Sequence, residues 1–323
     1  MDPVLSVVVP IFNEEAIVPE LHSRLTSALG AIGETYEVLL INDGSRDRSL
    51  DLMRAAAAAD SRVRVVDLSR NFGHQIAITA GMDYARGKAV VVIDADLQDP
   101  PEVIAKLVAR WREGYQVVYA VREHRVGETA FKKVTAAAFY RLIRRITNVD
   151  IPVDTGDFRL MDRSVVDALK RIREKHRFVR GLVSWVGFRQ TGVTYVRQER
   201  FAGETKYPLR KMLKFAFDGI TSFSFVPLQM ATYLGFAVSG LSFLAICWVL
   251  VETLVFHETV QGWSSLMVAV LFLGGIQLMT IGLIGEYVGR IYDEVKGRPL
   301  YLVREEAGSE APRSHEQASA SLS

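Results

Sequence analysis

Cysteine is nearly missing from this 323-residue chain. Cys247 stands alone, which excludes a disulfide framework and any cysteine-built metal centre. No G-x-G-x-x-G follows the first strand-like run and no G-x-x-x-x-G-K-[ST] occurs, so neither a dinucleotide fingerprint nor a P-loop is present to cradle phosphates. Net charge is scarce as well: a formal +2 is too small to suggest nucleic acid as a partner. Charge of either sign is absent from Gly219 to Val251 and from Thr259 to Gly285, although 24% of all residues are charged. Each run exceeds the roughly 20 apolar residues that cross a bilayer as a helix, and buried core helices would be shorter and keep a polar stripe. Two transmembrane spans are expected.

The flanks orient them. Lys206, Arg210, Lys211 and Lys214 precede the first run and Arg290, Lys296 and Arg298 follow the second, whereas the connector Glu252 to Gly262 has no Lys or Arg. The positive-inside rule then places both termini and the N-terminal domain on the cytoplasmic side of an inner, cytoplasmic membrane. No N-terminal signal peptide is expected, because Val4 to Phe12 is short and follows Asp2 without a basic residue. Four parts follow: a domain over residues 1–206, a juxtamembrane helix over 207–222, a two-helix membrane domain over 223–290, and a cytoplasmic tail over 291–323, disordered from about 305.

What is present is alternation. Leu5–Phe12, Tyr36–Asp43, Arg62–Ser69, Lys88–Asp96 and Tyr115–Arg122 are apolar, strand-like runs separated by helix-forming stretches. Repeated βα units predict an α/β domain with a mainly parallel sheet, whose ligands bind beyond the carboxyl ends of the strands. Polar residues collect there: Pro10, Asn13 and Glu14, then Asp43 in "NDGS", Asn71 in "SRNFGH", the "DADLQD" of Asp94 to Asp99, and Arg122. Carboxylates at that edge suit Mg²⁺ or Mn²⁺, which prefer oxygen ligands and share them with substrate phosphates. Asp94 and Asp96, two apart on a continuing strand, would face the same side and grip one cation with Gln98 in reach. A D-x-D in a surface turn is more often an Asx-turn or helix N-cap, and only its position at the end of a buried strand favours the metal.

Two basic amphipathic stretches flank the second half. Within Glu128–Asn148, Phe131, Val134, Ala138, Leu142 and Ile146 share a helical face apart from most of Lys132, Lys133, Arg141, Arg144 and Arg145. Tyr207–Ile220 sets Leu209, Met212, Leu213, Ala216 and Ile220 against Arg210, Lys211 and Lys214. Such helices suit the plane of an anionic membrane surface, and ordinary core packing with a solvated basic face is the plainer alternative.

"VVVPIFNEE", "INDGSRD", "IDADLQDPPE", "TGDFRL" and "RFAGETKYP", in that order and followed by two apolar runs, resemble the polyprenyl-phosphate glycosyltransferases of glycosyltransferase family 2. The resemblance spans roughly residues 4–303. It implies a GT-A, Rossmann-like nucleotide-sugar domain and inverting transfer of a sugar to a polyprenyl phosphate at the membrane. Carried over residue by residue, it implies nucleotide-sugar contacts at Pro10, Phe12, Glu14, Ile41, Asp43, Asp94, Ala95 and Arg122, a metal on Asp94, Asp96 and Gln98, and catalytic roles for Asp96, Asp157, Arg200 and Lys206. For Arg200 and Lys206 a snorkelling charge near the membrane is the plainer alternative.

A phosphate monoester acceptor is largely dianionic near neutral pH, with a second pKa of about 6, so a strong general base is optional. Asp157 is expected either as base or as orienter, on an acceptor-side loop after the core sheet. By the same resemblance UDP-glucose is the favoured donor, with GDP-mannose, UDP-N-acetylglucosamine and UDP-aminoarabinose derivatives open. A processive polymerase would carry Q-x-x-R-W, whereas "RQERF" has Gln198 two residues before Arg200 and Phe201 in place of Trp. A non-catalytic nucleotide-sugar sensor or flippase scaffold would use the spans alone, and a lipid-independent hydrolase would leave them unexplained. Small residues in the runs, Gly235, Ser239, Gly274, Gly275 and Gly282, suit helix packing in a homo-oligomer.

Overall fold

A computed structural model describes residues 2–123, 155–198 and 262–308, with scattered helical positions between 228 and 248. The chain divides into two compact units. The first contains residues 1–144, 149–207 and 299–323, the second residues 145–148 and 208–298.

The first unit is built on one eight-stranded sheet. Its strands are β1 (Leu5–Ile11), β2 (Tyr36–Asn42), β3 (Val63–Leu68), β4 (Ala89–Val92), β5 (Val117–Arg122), β6 (Thr155–Asp162), β7 (Gln190–Tyr195) and β8 (Val303–Ala307). They lie in the order β7-β5-β6-β4-β1-β2-β3-β8. The pairs β1–β2, β1–β4, β2–β3 and β5–β7 are parallel, and only β6 and β8 run against their neighbours. In β1 to β3 every residue is buried, as expected of strands covered on both faces.

The helices α1 (Val18–Ile32), α2 (Ser49–Ala59), α3 (His74–Tyr84), α4 (Ile104–Arg112), α5 (Arg163–Arg171) and α6 (Val179–Trp185) cover it. In α1 the leucines at 21, 25 and 29 recur every fourth residue and are all at most 1% exposed, and Pro19 in its first turn presets the helical φ. Truncating any of them to Ala removes about 2–5 kcal/mol. In α3 closeness replaces bulk: a Cβ at Gly81 would lie 2.0 Å from Cγ1 of the buried Val8, so the helix backbone sits directly on β1. At the amino ends of the strands, Glu37 binds buried polar groups. It accepts from Ser6 Oγ at 2.6 Å, Arg86 N–H at 2.7 Å and the Arg64 guanidinium at 3.0 Å. That closed network leaves the opposite edge of the sheet for a ligand.

Three expectations change. The fourth strand stops at Val92 instead of reaching Asp96, because antiparallel pairing with β6 ends at Val92–Arg159 and the chain then turns, with Leu97 at φ 56°. "TGDFRL" is not a loop beyond the sheet: it is β6, between β4 and β5. Disorder from about 305 is overturned for Glu305 to Ala307, which pair with β3 in β8 and return the chain to the first unit.

In the second unit α7 (Trp263–Val295) runs 33 residues, about 50 Å at helical rise. Its stretch Phe272–Val295 has a mean hydropathy of 1.3 and none of it is buried; among the described residues it is one helix long and apolar enough to cross a bilayer. Leu278 and Met279 are at least 70% exposed, which water tolerates poorly over such a length. The first expected span, residues 219–251, lies largely outside the described residues, and the amphipathic stretches 128–148 and 207–220 lie wholly outside them.

Candidate active site

The carboxyl ends of β1, β2, β3 and β4 open into loops with two non-glycine residues in the left-handed region, Asn13 and Leu97, both at φ 56°. Such positions cost about 1–3 kcal/mol each and persist where surrounding contacts fix them. Asn13 is held on both sides: its N–H donates to Ser45 Oγ at 3.0 Å and its Oδ1 accepts from Arg46 N–H at 2.8 Å. Pro10 pairs with Ile41 across β1 and β2, and Phe12 just beyond is 44% exposed. Glu14 N–H donates to Ser49 Oγ at 2.8 Å. Ile41 and Ala95 are buried, at 0% and 5% exposed.

Asp43 follows β2 directly. Its Oδ1 accepts from Phe72 N–H at 2.7 Å and from Gly73 N–H at 3.3 Å, and its Oδ2 from Gly73 N–H at 3.0 Å. Burial raises its pKa against those hydrogen bonds. The carboxylate therefore fixes the loop before α3, with one lone-pair site on Oδ2 left for an incoming hydroxyl or N–H. Gly44 permits this closeness, since a Cβ there would be 2.5 Å from the backbone at Arg70 and Asn71.

The charged centre lies between α3, the β4 turn and β6. Asp157 on β6 is 4% exposed. Its Oδ1 accepts from Arg180 Nε at 2.8 Å, and its Oδ2 from His74 Nε2 at 3.1 Å, Gln75 Nε2 at 3.2 Å and the Arg180 guanidinium at 3.3 Å. Burial alone would raise its pKa, but the His74 bond and the Arg180 and Arg159 cations hold it well below the usual carboxylate range. Arg159, buried on the same strand, donates to Gly156 O at 2.8 Å, and burial brings its pKa down to about 10. A carboxylate so saturated is a weak base and a firm anchor.

Asp94 is the opposite case. Its Oδ1 is buried without a hydrogen-bond partner, with His74 Nε2 3.4 Å away. Burial, then the neighbouring carboxylates of Asp157, Asp99 and Asp96, push its pKa up to about 6 against the pull of His74. His74 responds in turn: burial would lower its pKa, but Asp157 and Asp94 raise it. One ligand atom from each of His74, Asp94 and Asp157 lies within 4.8 Å of the others, a group able to hold a divalent cation. The orphaned Asp94 oxygen fits such an ion, whereas Asp157 already accepts from four donor nitrogens, three of them on Oδ2. The expected ligand set is thus only partly assembled. Asp96, 9% exposed, turns its Oδ1 onto Gln98 N–H at 3.1 Å in an Asx-turn, because the strand that would have aligned it with Asp94 has already ended.

A second polar cluster closes the far side. Arg122 at the end of β5 donates to Tyr195 Oη at 3.3 Å, and Tyr195 donates to Asp99, which is fully buried. Arg197 Nε lies 3.8 Å from Asp99. Gln98 O accepts Gln198 N–H at 3.0 Å, so Gln198 meets the D-x-D turn directly. Arg200 and Lys206 lie outside the described residues.

Sequence reading missed His74, Gln75, Arg180, Asp99 and Tyr195. Only His74 and Asp99 fell inside motifs singled out for their chemistry, at the ends of "SRNFGH" and "DADLQD".

The profile described as "Glycosyl transferase family 2" matches residues 6–170, and that described as "GtrB C-terminal hairpin" matches residues 226–291. The uncharacterized glycosyltransferase YkcC of Bacillus subtilis (strain 168) is 59% identical over 308 residues, 95% of either chain. The bactoprenol glucosyl transferase of Shigella phage SfII is 44% identical over 300 residues, 93% of this chain and 97% of the relative. A prophage bactoprenol glucosyl transferase homolog of Escherichia coli (strain K12) is 42% identical over 300 residues, 93% of this chain and 98% of the relative. The mostly parallel, Rossmann-like sheet is the GT-A architecture. With the profile covering the core of the sheet and these relatives matching nearly end to end, the chain is a glycosyltransferase and belongs to glycosyl transferase family 2.

Proposed function

We propose that this enzyme transfers glucose from UDP-glucose to a polyprenyl phosphate at the cytoplasmic face of the inner membrane, inverting the anomeric centre. The observation that carries the reading is the 44% identity over nearly the whole chain to a protein named bactoprenol glucosyl transferase. The apolar, unburied Phe272–Val295 stretch supports a membrane-held acceptor. A hairpin profile over 226–291 supports two spans with both termini cytoplasmic, and small residues within them support a homo-oligomer.

In this reading Pro10, Phe12, Glu14 and Asp43 receive the nucleoside. Phe12 offers an exposed aromatic bed and the last Asp43 lone pair accepts a ribose hydroxyl or base N–H. Asp94, joined by Asp96, Gln98 or His74, holds Mg²⁺ or Mn²⁺, which supplies charge neutralisation to a departing nucleoside diphosphate. Asp157 orients. Its carboxylate fixes the His74 ring and Arg180 around the space where sugar and acceptor meet, and its depressed pKa makes it a poor proton acceptor. The acceptor oxyanion needs no base. Arg122, Arg200 and Lys206 contact the phosphates.

The test is transfer of labelled sugar from a panel of nucleotide sugars to undecaprenyl phosphate in detergent, with Mg²⁺, Mn²⁺ or EDTA, alongside Asp96→Ala. The expected result is metal-dependent glucosyl lipid from UDP-glucose, lost in the variant. Lipid product from a different donor would replace the sugar, and nucleotide binding without lipid product from any donor would overturn the reaction.

A further inference from the structure

The C-terminal strand β8 follows α7 in the chain and ends the sheet beside β3. Covering an edge strand needs only ladder hydrogen bonds. β8 does more through Arg304. One guanidinium nitrogen donates to Ser69 O at 2.7 Å while the Ser69 N–H donates to Leu302 O at 2.8 Å, so the residue that opens the loop before α3 is held at both backbone groups by the tail. The other terminal nitrogen reaches Asp67 Oδ2 at 3.4 Å.

Asp67 is 1% exposed and is not the end of the chain of contacts. Its Oδ1 accepts from Asn42 Nδ2 at 2.7 Å, Asn42 Oδ1 accepts from Ser45 N–H at 3.1 Å, and Ser45 Oγ accepts from Asn13 N–H at 3.0 Å. A relay of polar groups thus runs from the exposed Arg304 through the buried Asp67 and Asn42 to the half-buried Ser45 and the exposed Asn13, across the ends of β3, β2 and β1. Buried polar groups lose free energy when a partner is withdrawn, so the members hold one another in a single arrangement.

We infer that Arg304 is a positioning residue for the nucleotide-sugar donor, setting the loops after β1, β2 and β3 through Asp67 and Ser69. It does not touch the donor. The inference rests on the reading that a nucleotide sugar binds at this edge.

The test uses the full chain in detergent: binding of UDP by calorimetry, and KM for donor and acceptor separately, in wild type, Arg304→Ala, Arg304→Gln and Arg54→Ala. Arg54 pairs with Glu305 on the same tail strand but touches none of the relay, so it controls for tail docking. The expected result for Arg304→Ala is a rise of roughly fivefold or more in the UDP dissociation constant and donor KM, the low end of ordinary coupling between sites. Acceptor KM should stay with that of Arg54→Ala. Arg304→Gln keeps one donor group and should shift the same constants less, deciding the matter if the alanine variant does not fold. Donor constants in both Arg304 variants equal to those of Arg54→Ala would overturn the inference. Failure of the wild type to bind UDP would instead overturn the donor reading, and the inference with it.

Discussion

Asp157→Asn is the perturbation that probes the centre most directly. The substitution keeps shape but replaces one acceptor oxygen by an NH₂, and the site offers only donors: the Arg180 guanidinium, His74 and Gln75. Two guanidiniums, Arg159 and Arg180, lose their nearest anion. Removing one partner of a buried ion pair costs about 3–5 kcal/mol, and the lower figure applies because Arg180 is 33% exposed. At roughly 2–4 °C per kcal/mol for a domain of this size, the thermal midpoint should drop by about 6–12 °C.

The pH dependence adds a sharper signature. A depressed carboxylate contributes stability above its unfolded pKa of about 4, and loses it as pH falls toward the folded value. A raised histidine contributes fully below its unfolded pKa of about 6.5, and loses that share as pH rises through its folded value. The gap between wild type and variant should therefore be widest at about pH 5–6, narrow below about 4, and narrow in part above neutrality, where the Arg180 contribution remains. Scanning calorimetry from pH 3 to 9 reads this directly. Turnover measured on the same samples should fall by at least tenfold. A variant with wild-type midpoint across the range, or with near-full turnover, would refute the anchoring role.

Asp94→Asn should act with the opposite sign on stability. Its carboxyl is raised to about 6, so at pH 8 the native state carries an unfavourable charge worth about 2–3 kcal/mol. In EDTA at pH 8 the variant should melt higher than wild type, the difference fading below about pH 4, while divalent-cation stabilisation and sugar transfer are lost. Gly81→Ala should destabilise by about 1–3 kcal/mol by urea unfolding, since the new methyl meets Val8 in a fully buried strand.

Much of the fold was legible because parallel strands buried on both faces write themselves as apolar runs. Leu5–Phe12 and Tyr36–Asp43 differ from β1 and β2 by one residue each. β6 was hidden by its chemistry. Phe158 and Leu160 enter the core as a strand should, but Asp157 and Arg159 alternate with them, and two charges in a central strand contradict the usual pattern until their partners are known. β8 was hidden by composition: the charged "VREEA" reads as tail, yet charge is common on an edge strand. At the site, Asp94, Asp157 and Arg122 could be picked out by motif. His74 and Arg180 could not be matched to them, because they are 106 residues apart and meet only when α3 and α6 pack around β6.

The antiparallel insertion of β6 between β4 and β5 joins two distant stretches of the chain at one rung of the sheet. β5 leaves the sheet at Arg122 and β6 re-enters at Thr155, and Val121 and Thr155 are paired neighbours. The chain departs from and returns to the same rung, as at the neck of a bag. The pairing fixes the two strand ends beside Arg122 and Asp157, so the site's two charged walls are tied to one rung of the ladder. A substitution that loosens either strand end is therefore felt at both Arg122 and Asp157.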